Sequence, residues 1–247
     1  MLKIQDLSFN VDADGREKEI IRNINLDIPR GKLIVITGPN GGGKSTLAKL
    51  IAGIEKASGG KIFFNGEDIT DMSVTERARK GIAFAFQQPV KFKGIKVIDL
   101  IRIAANKNLT VVDACSYLSA VGLCAREYID REVNSSLSGG ELKRIEIATV
   151  LARKSMLTVF DEPEAGIDLW SFGNLIEVFR RQREEISDRS ILIISHQERI
   201  LSIADEIIVL NDGRVQHRGS REEVLPKLIG TASAVRNCRG NMRGDDC

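Results

Sequence analysis

The chain has 247 residues, 43% of them hydrophobic, which is enough for one core or one core with an inserted lobe. Its 36 basic and 34 acidic residues leave a formal charge of +2, a balance that speaks against a nucleic-acid ligand. No apolar run nears the ~20 residues that cross a bilayer, and Asp6 interrupts the start before a signal-peptide core forms, so the chain is expected in the cytoplasm with no span of its own.

Leu2 to Leu7 and Ile24 to Ile28 alternate apolar and polar residues and predict two strands joined by a turn over Asp12 to Arg16. Pro29 to Lys32 turns the chain into Leu33-Ile34-Val35-Ile36-Thr37, a continuous apolar run typical of a buried parallel strand. A glycine-rich loop follows, then a helix from Ser45 to about Ile54. Ser58-Gly59-Gly60 and Asn65-Gly66 bracket Lys61 to Phe64 and predict a second hairpin. Ala83 to Phe86 reads as a strand. From about Pro89 to Asn134 apolar residues recur at helical spacing (Val97, Leu100, Ile101, Ile103, Ala104), which predicts a helical insertion. Strand and helix then alternate again, with strands at Leu157 to Phe160, Ile191 to Ile194 and Ile207 to Leu210 and a helix over Leu169 to Ile186. No internal repeat is present. The whole reads as one α/β domain over 1–229, followed by a polar, loose tail over 230–247. The cysteines, Cys115, Cys124, Cys238 and Cys247, form no Cys-x-x-Cys pair and read as reduced thiols. Metal binding by Cys238 and Cys247 is the alternative.

Gly38-Pro39-Asn40-Gly41-Gly42-Gly43-Lys44-Ser45-Thr46 fits G-x-x-x-x-G-K-[ST] and lies between a buried strand and a helix. Glycines let the backbone curl so that its N–H groups face a phosphate, and the helix presents its positive end to the same anion. Lys44 is placed to reach the β- and γ-phosphates, and the Ser45 hydroxyl to bind Mg²⁺. Leu157-Thr158-Val159-Phe160 delivers Asp161 and Glu162 to the edge of that loop. Asp161 suits Mg²⁺ and Glu162 suits a general base for water. Ser138-Gly139-Gly140-Glu141 taken alone is equally an ordinary helix N-cap with an acid in the first turn.

In this order, the phosphate loop, a strand ending at Gln87, Leu137-Ser138-Gly139-Gly140-Glu141, the acid-tipped strand and His196 resemble the ABC ATPase superfamily over about Leu2 to Leu228. The resemblance implies a P-loop (RecA-like) ABC ATPase core with an antiparallel β subdomain and an inserted α-helical subdomain. It implies ATP and Mg²⁺ as cofactors, ATP hydrolysis, and an ATP-dependent homodimer. It also implies residue roles. Gln87 senses Mg²⁺ and the partner, Ser138, Gly139 and Gly140 contact the γ-phosphate held by the opposite copy, Asp168 lies at the cassette interface, and His196 sits near the γ-phosphate. An aromatic residue that often stacks on adenine is replaced by Val11, with Phe9 on the same strand face, so that contact is expected to be apolar.

Ala85-Phe86-Gln87-Gln88-Pro89-Val90 and Glu141-Leu142-Lys143-Arg144-Ile145-Glu146 are similar to segments of SufC-type ATPases, which power iron–sulfur cluster assembly. That implies a SufB/SufD-like soluble scaffold as partner. Asp161-Glu162-Pro163-Glu164-Ala165-Gly166-Ile167-Asp168 departs from that family's Asp-Glu-Ser-Asp-Ser-Gly-Leu-Asp, and Pro163 is common in transporters. The alternative is the ATP-binding subunit of a membrane importer, paired with a permease subunit. In either case the docking surface is expected at Gln87, Lys91 to Lys96 and the helical insertion.

Overall fold

The computed structural model describes residues 1–13, 15–134, 136–184 and 188–229. The expected tail, with Cys238 and Cys247, and the end of the helix expected to reach Ile186 lie outside the described residues. The chain order is β1 (Leu2–Ala13), β2 (Arg16–Ile28), β3 (Leu33–Thr37), α1 (Lys44–Ala52), β4 (Gly59–Phe64), β5 (Glu67–Asp68), α2 (Val74–Arg79), β6 (Ile82–Ala85) and α3 (Val97–Ala105). It continues with α4 (Val111–Ala120), α5 (Ala125–Tyr128), α6 (Gly139–Ala152), β7 (Leu157–Asp161), α7 (Leu169–Glu184), β8 (Ser190–Ile194), α8 (Glu198–Leu201), β9 (Glu206–Asn211) and β10 (Arg214–Ser220).

Two sheets form. The first is antiparallel, in the order β2-β1-β4-β5. The alternation at the start of β1 slips at Asp6, whose backbone is left-handed at φ 49°. Buried positions therefore run Leu2, Ile4, Leu7 instead of keeping period two. Asp6 exchanges two hydrogen bonds with the Asn25 side chain, at 2.9 and 3.0 Å, which hold the bulge.

The second sheet runs β10-β9-β3-β8-β7-β6, parallel except for β10. All five residues of β3 are buried, as are all five of β8, because the sheet is covered on both faces. Leu33 and Val35 point into one apolar cluster with the helical insertion, α6 and α7. Ile34 and Ile36 point into a second, with α1 and the antiparallel sheet. Helices α3, α4 and α5 fall within the expected insertion. Val97, Ile101 and Leu118 pack in one cluster with Leu142 and Ile145 of α6.

The loop-and-helix unit after β3 is anchored at its far end by a residue without a sequence signature. Arg77 of α2 is buried, and its guanidinium donates to the carbonyls of Leu50 (2.5 Å) and Ile51 (3.0 Å), at the C-terminus of α1. It also donates to Thr70 (2.7 Å) and Met72 (3.1 Å). A positive charge there complements the negative end of the helix and adds a donor to its last carbonyls, of which Leu50 also accepts from the Gly53 N–H at 3.2 Å. Arg77→Met keeps the apolar stem and removes the guanidinium's bonds to Leu50, Ile51, Thr70 and Met72, leaving Leu50 only its Gly53 donor. It is expected to lower stability by about 3 kcal/mol, read as a lower urea midpoint at unchanged slope. An unchanged midpoint would show the four bonds to be dispensable.

Candidate active site

The C-terminal ends of β3, β7 and β8 come out level. Ile36 pairs with Ile194, and Asp161 pairs with Ile194 on the other side. Ligands of open parallel sheets bind in the crevice beyond such ends. Here that crevice receives the loop after Thr37, the acids at Asp161 and Glu162, and the Ser195-His196 turn.

The loop needs its glycines. Gly38 has φ 139°, and a Cβ on it would sit 1.9 Å from the Leu210 carbonyl oxygen, so no other residue fits. Gly43, φ 94°, caps α1, and a Cβ there would press on Ile21 of β2. The antiparallel sheet thus leans directly on the loop. Phe9 pairs with Ile21 and Val11 with Lys18, which puts Val11 two pairings farther out along the same hairpin.

Lys44 is buried and folds back to donate to the carbonyls of Gly38 and Pro39, both at 2.9 Å. Burial lowers its affinity for a proton, against the pull of Glu162 and Asp161. The Ser45 hydroxyl donates to Asp161 at 2.8 Å. Burial pushes the Asp161 carboxyl up, the Glu162 charge adds to this, and the Ser45 bond opposes it. A desolvated ammonium and a desolvated carboxylate side by side are each short of counter-charge. Phosphate oxygens would supply it to Lys44, and a divalent cation to Asp161, with Ser45 as a second oxygen ligand. The donor set is hard oxygen and suits Mg²⁺.

Glu162 has a left-handed backbone, φ 44°, fixed by its N–H donating to the Ile194 carbonyl at 3.0 Å. Its carboxylate accepts from Gln87 Nε2 at 2.6 Å. Gln87 is itself held from behind. The Phe86 N–H donates to Glu146 Oε1 at 3.0 Å, and the fully buried Lys143 donates to the carbonyls of Phe86 and Gln87 and to Glu146 Oε2 (3.2 Å). Burial raises the Glu146 carboxyl, with Lys143 opposing it. Lys143 and Glu146, one turn apart on α6, thus hold the residue before Gln87.

Ser138, Gly139 and Gly140 make their contacts elsewhere. Ser138 caps α6 in a reciprocal box with Glu141, whose N–H it accepts at 3.3 Å while its own N–H donates to Glu141 at 2.6 Å. Hydrogen bonds from the Tyr128 hydroxyl and the Ser138 backbone hold the Glu141 carboxyl at about 2. The ordinary capping reading is thus correct, and it leaves Ser138 and Gly139 exposed at a helix N-terminus. A Cβ on Gly140 would lie 3.0 Å from the Gly166 carbonyl, so this helix end borders the loop before α7. Asp168 caps α7 there, accepting from the N–H groups of Trp170 (3.1 Å) and Ser171 (3.0 Å). His196 is exposed just past β8, and His217 is exposed on β10. Among the described residues no cluster of three or more His, Cys, Asp or Glu side chains could hold a metal by itself.

A family model described as ABC transporter matches residues 21–165. The chain belongs to the ABC transporter family of ATP-binding cassettes. It is 38% identical over 234 residues to an uncharacterized ABC transporter ATP-binding protein of Methanocaldococcus jannaschii, covering 91% of this chain and 90% of that one. It is 34% identical over 210 residues to a sulfate/thiosulfate import ATP-binding protein of Shewanella oneidensis, covering 83% of this chain but only 58% of the longer relative. A dimeric ATP-binding cassette solved in a post-hydrolysis state with ADP and Pi shares the fold, with TM-score 0.80 at 22% identity over 90% of this chain and 99% of that one. The cassette is accordingly an ATPase of the P-loop ABC type, with ATP and Mg²⁺ as its cofactors.

Lys44→Ala removes the one buried ammonium facing the loop and leaves phosphate charge without it. The variant is expected to lose ATP binding by calorimetry while keeping its far-ultraviolet spectrum. Unchanged affinity would take Lys44 out of the nucleotide site.

Proposed function

We propose that this cassette is the motor subunit of a membrane transporter, hydrolysing ATP between two copies of itself to move a permease partner. The observation that carries this is the half-built hydrolytic site: Ser45 bonded to Asp161, Glu162 within reach of the same loop, and Gln87 tied to Glu162 from the docking side. The exposed Ser138–Gly140 helix end of a second copy would complete it by covering the γ-phosphate with N–H groups. Within it, Lys44 and the Asn40–Thr46 backbone neutralise and orient the phosphates, and Val11 and Phe9 give adenine an apolar edge. Ser45, Asp161 and Gln87 would hold Mg²⁺, which would supply positive charge to the phosphate oxygens. Glu162 takes a proton from water as its oxygen attacks the γ-phosphorus, and the bond to the ADP oxygen breaks. In the single cassette the Gln87 bond occupies Glu162, which fits low activity in isolation. His196 and Asp168 act on the γ-phosphate side and at the copy-to-copy face.

The partner surface is an apolar groove of about 260 Å³ beside Gln87, lined by Phe84, Phe86, Val90, Phe92, Leu100 and Ile145. Lys91 and Lys93 stand exposed at its edge, as does Lys96, which pairs with Asp130 at 3.5 Å. An amphipathic helix with acidic flanks fits it. Among the described residues no helix is long and apolar enough to cross a membrane, so a permease would supply the span. The relatives, named as transporter and importer ATP-binding proteins, support this partner.

A second reading has one observation in its favour. The two segments similar to SufC-type ATPases, Ala85–Val90 and Glu141–Glu146, are the ones that Lys143 and Glu146 bind together. On that reading the groove receives a SufB/SufD-like soluble scaffold.

Glu162→Gln is expected to bind ATP, to hydrolyse it on the order of 10²–10⁴ times more slowly, and to accumulate a dimer in ATP by light scattering. Wild-type turnover in this variant would remove Glu162 as the base. A pull-down from lysate separates the partners. A permease that needs detergent for release and loses affinity for Lys93→Glu supports the transporter. A soluble scaffold recovered without detergent, containing iron and sulfide and weakened by the same substitution, supports the second reading instead.

A further inference from the structure

The loop between β7 and α7 carries a carboxyl that the hydrolytic scheme leaves unused. Glu164 stands two residues beyond Glu162. Its Oε1 accepts the Ser195 hydroxyl at 2.5 Å, and Ser195 Oγ in turn accepts the Gln197 N–H at 3.0 Å. Ser195 is fully buried. These two bonds grip the residues on either side of His196, so the backbone of that turn is fixed relative to Glu164 while the imidazole stays exposed. The other oxygen, Glu164 Oε2, is buried and has no hydrogen-bond partner. A buried carboxyl oxygen without a donor is costly, and such an orphan beside a working site calls for a partner that arrives later. Burial pushes the Glu164 carboxyl up; the Ser195 bond and, more weakly, the His196 charge oppose this, and the Glu162 charge adds to it. Geometry ties both groups to it: Glu162 lies two residues before Glu164 on the same loop, and His196 follows directly on Ser195, whose hydroxyl Glu164 holds.

We propose that Glu164 is a positioning residue for hydrolysis, its free Oε2 pairing with one ring nitrogen of His196 so that the other nitrogen presents its N–H to the γ-phosphate. This rests on the reading of His196 as the γ-phosphate contact. The chemistry is that of a carboxyl behind a histidine: the group bonded to one ring nitrogen fixes the proton and the ring plane of the other. Here the same carboxyl also holds the turn through Ser195, so the loop at the copy-to-copy face and the histidine turn move as one piece. A cassette with an apolar residue at 164 would lack that link.

The test compares Glu164→Ala, Glu164→Gln, His196→Ala and the Glu164→Ala/His196→Ala pair in the full chain with Mg-ATP. Glu164→Ala is expected to lower kcat by about 10–100-fold with KM within twofold, and Glu164→Gln, which keeps the shape and the Ser195 bond, to recover part of the loss. Adding Glu164→Ala to His196→Ala should then cost nothing further. Losses that multiply in the double variant would overturn the proposal, as would wild-type kcat in Glu164→Ala. Should His196→Ala itself turn over normally while Glu162→Gln does not, the histidine reading fails and the proposal with it, while the base assignment stands. The chain has two histidines, so ring-nitrogen NMR shifts of His196 can be assigned by removing His217. In the Glu162→Gln cassette holding ATP, these shifts should change on Glu164→Gln. Identical shifts would overturn the proposal even if Glu164→Ala fails to fold.

Discussion

The site depends on one constraint, the common level at which β3, β7 and β8 stop. Ile36, Ile194 and Asp161 stand in one row of the parallel ladder. That row sets where Gly38 must turn, where Asp161 meets Ser45, and where Glu162 is pulled into a left-handed backbone by the Ile194 carbonyl. A slip of one residue between β7 and β8 would turn Asp161 to the opposite face of the sheet and leave Ser45 facing apolar side chains. The register is held by burial on both faces, since neither surface of these strands offers a polar side on which to slip.

Electrostatic cost follows from the same burial. Lys44 and Asp161 are charged groups in a dry place, and each is pushed toward its neutral form. Neither shift makes sense as a stabilising device, because the two groups do not pair with each other. They make sense as halves of a site waiting for phosphate and cation. The free oxygen of Glu164 is a third uncompensated feature of the same neighbourhood.

Much of this was legible in the sequence, and the reasons differ by element. Leu33 to Thr37 and Leu157 to Asp161 are unbroken apolar runs with short, glycine- or acid-marked ends, so both strands and the phosphate loop could be placed to within a residue. Ser138 could be read as a cap because its box with Glu141 is local. What stayed hidden was non-local. Asp6 breaks the alternation of β1 through a bond to Asn25, 19 residues away. The apolar residues of α6 pack against Val97, Ile101 and Leu118 of the insertion, which no spacing reveals. β10 carries Arg, Gln, His and Arg on an exposed edge and looks like a loop until β9 is there to pair with it. Lys143 and Glu146 read as a solvated i, i+3 pair, yet Lys143 is wholly buried against a strand end 57 residues earlier.

The grip on Phe86 has a mechanical meaning. Glu146 takes the N–H of that residue and Lys143 its carbonyl, so α6 holds both hydrogen-bonding groups of one residue. Phe86 lines the apolar groove proposed as the docking surface, and the next residue, Gln87, holds Glu162. Load applied to the groove therefore has no slack to take up before it reaches the carboxylate, and a hydrogen bond of 2.6 Å is lost within a displacement of about 1 Å. The lever arm is a single residue long, and a partner seated in the groove would pull on the same end of it that α6 holds.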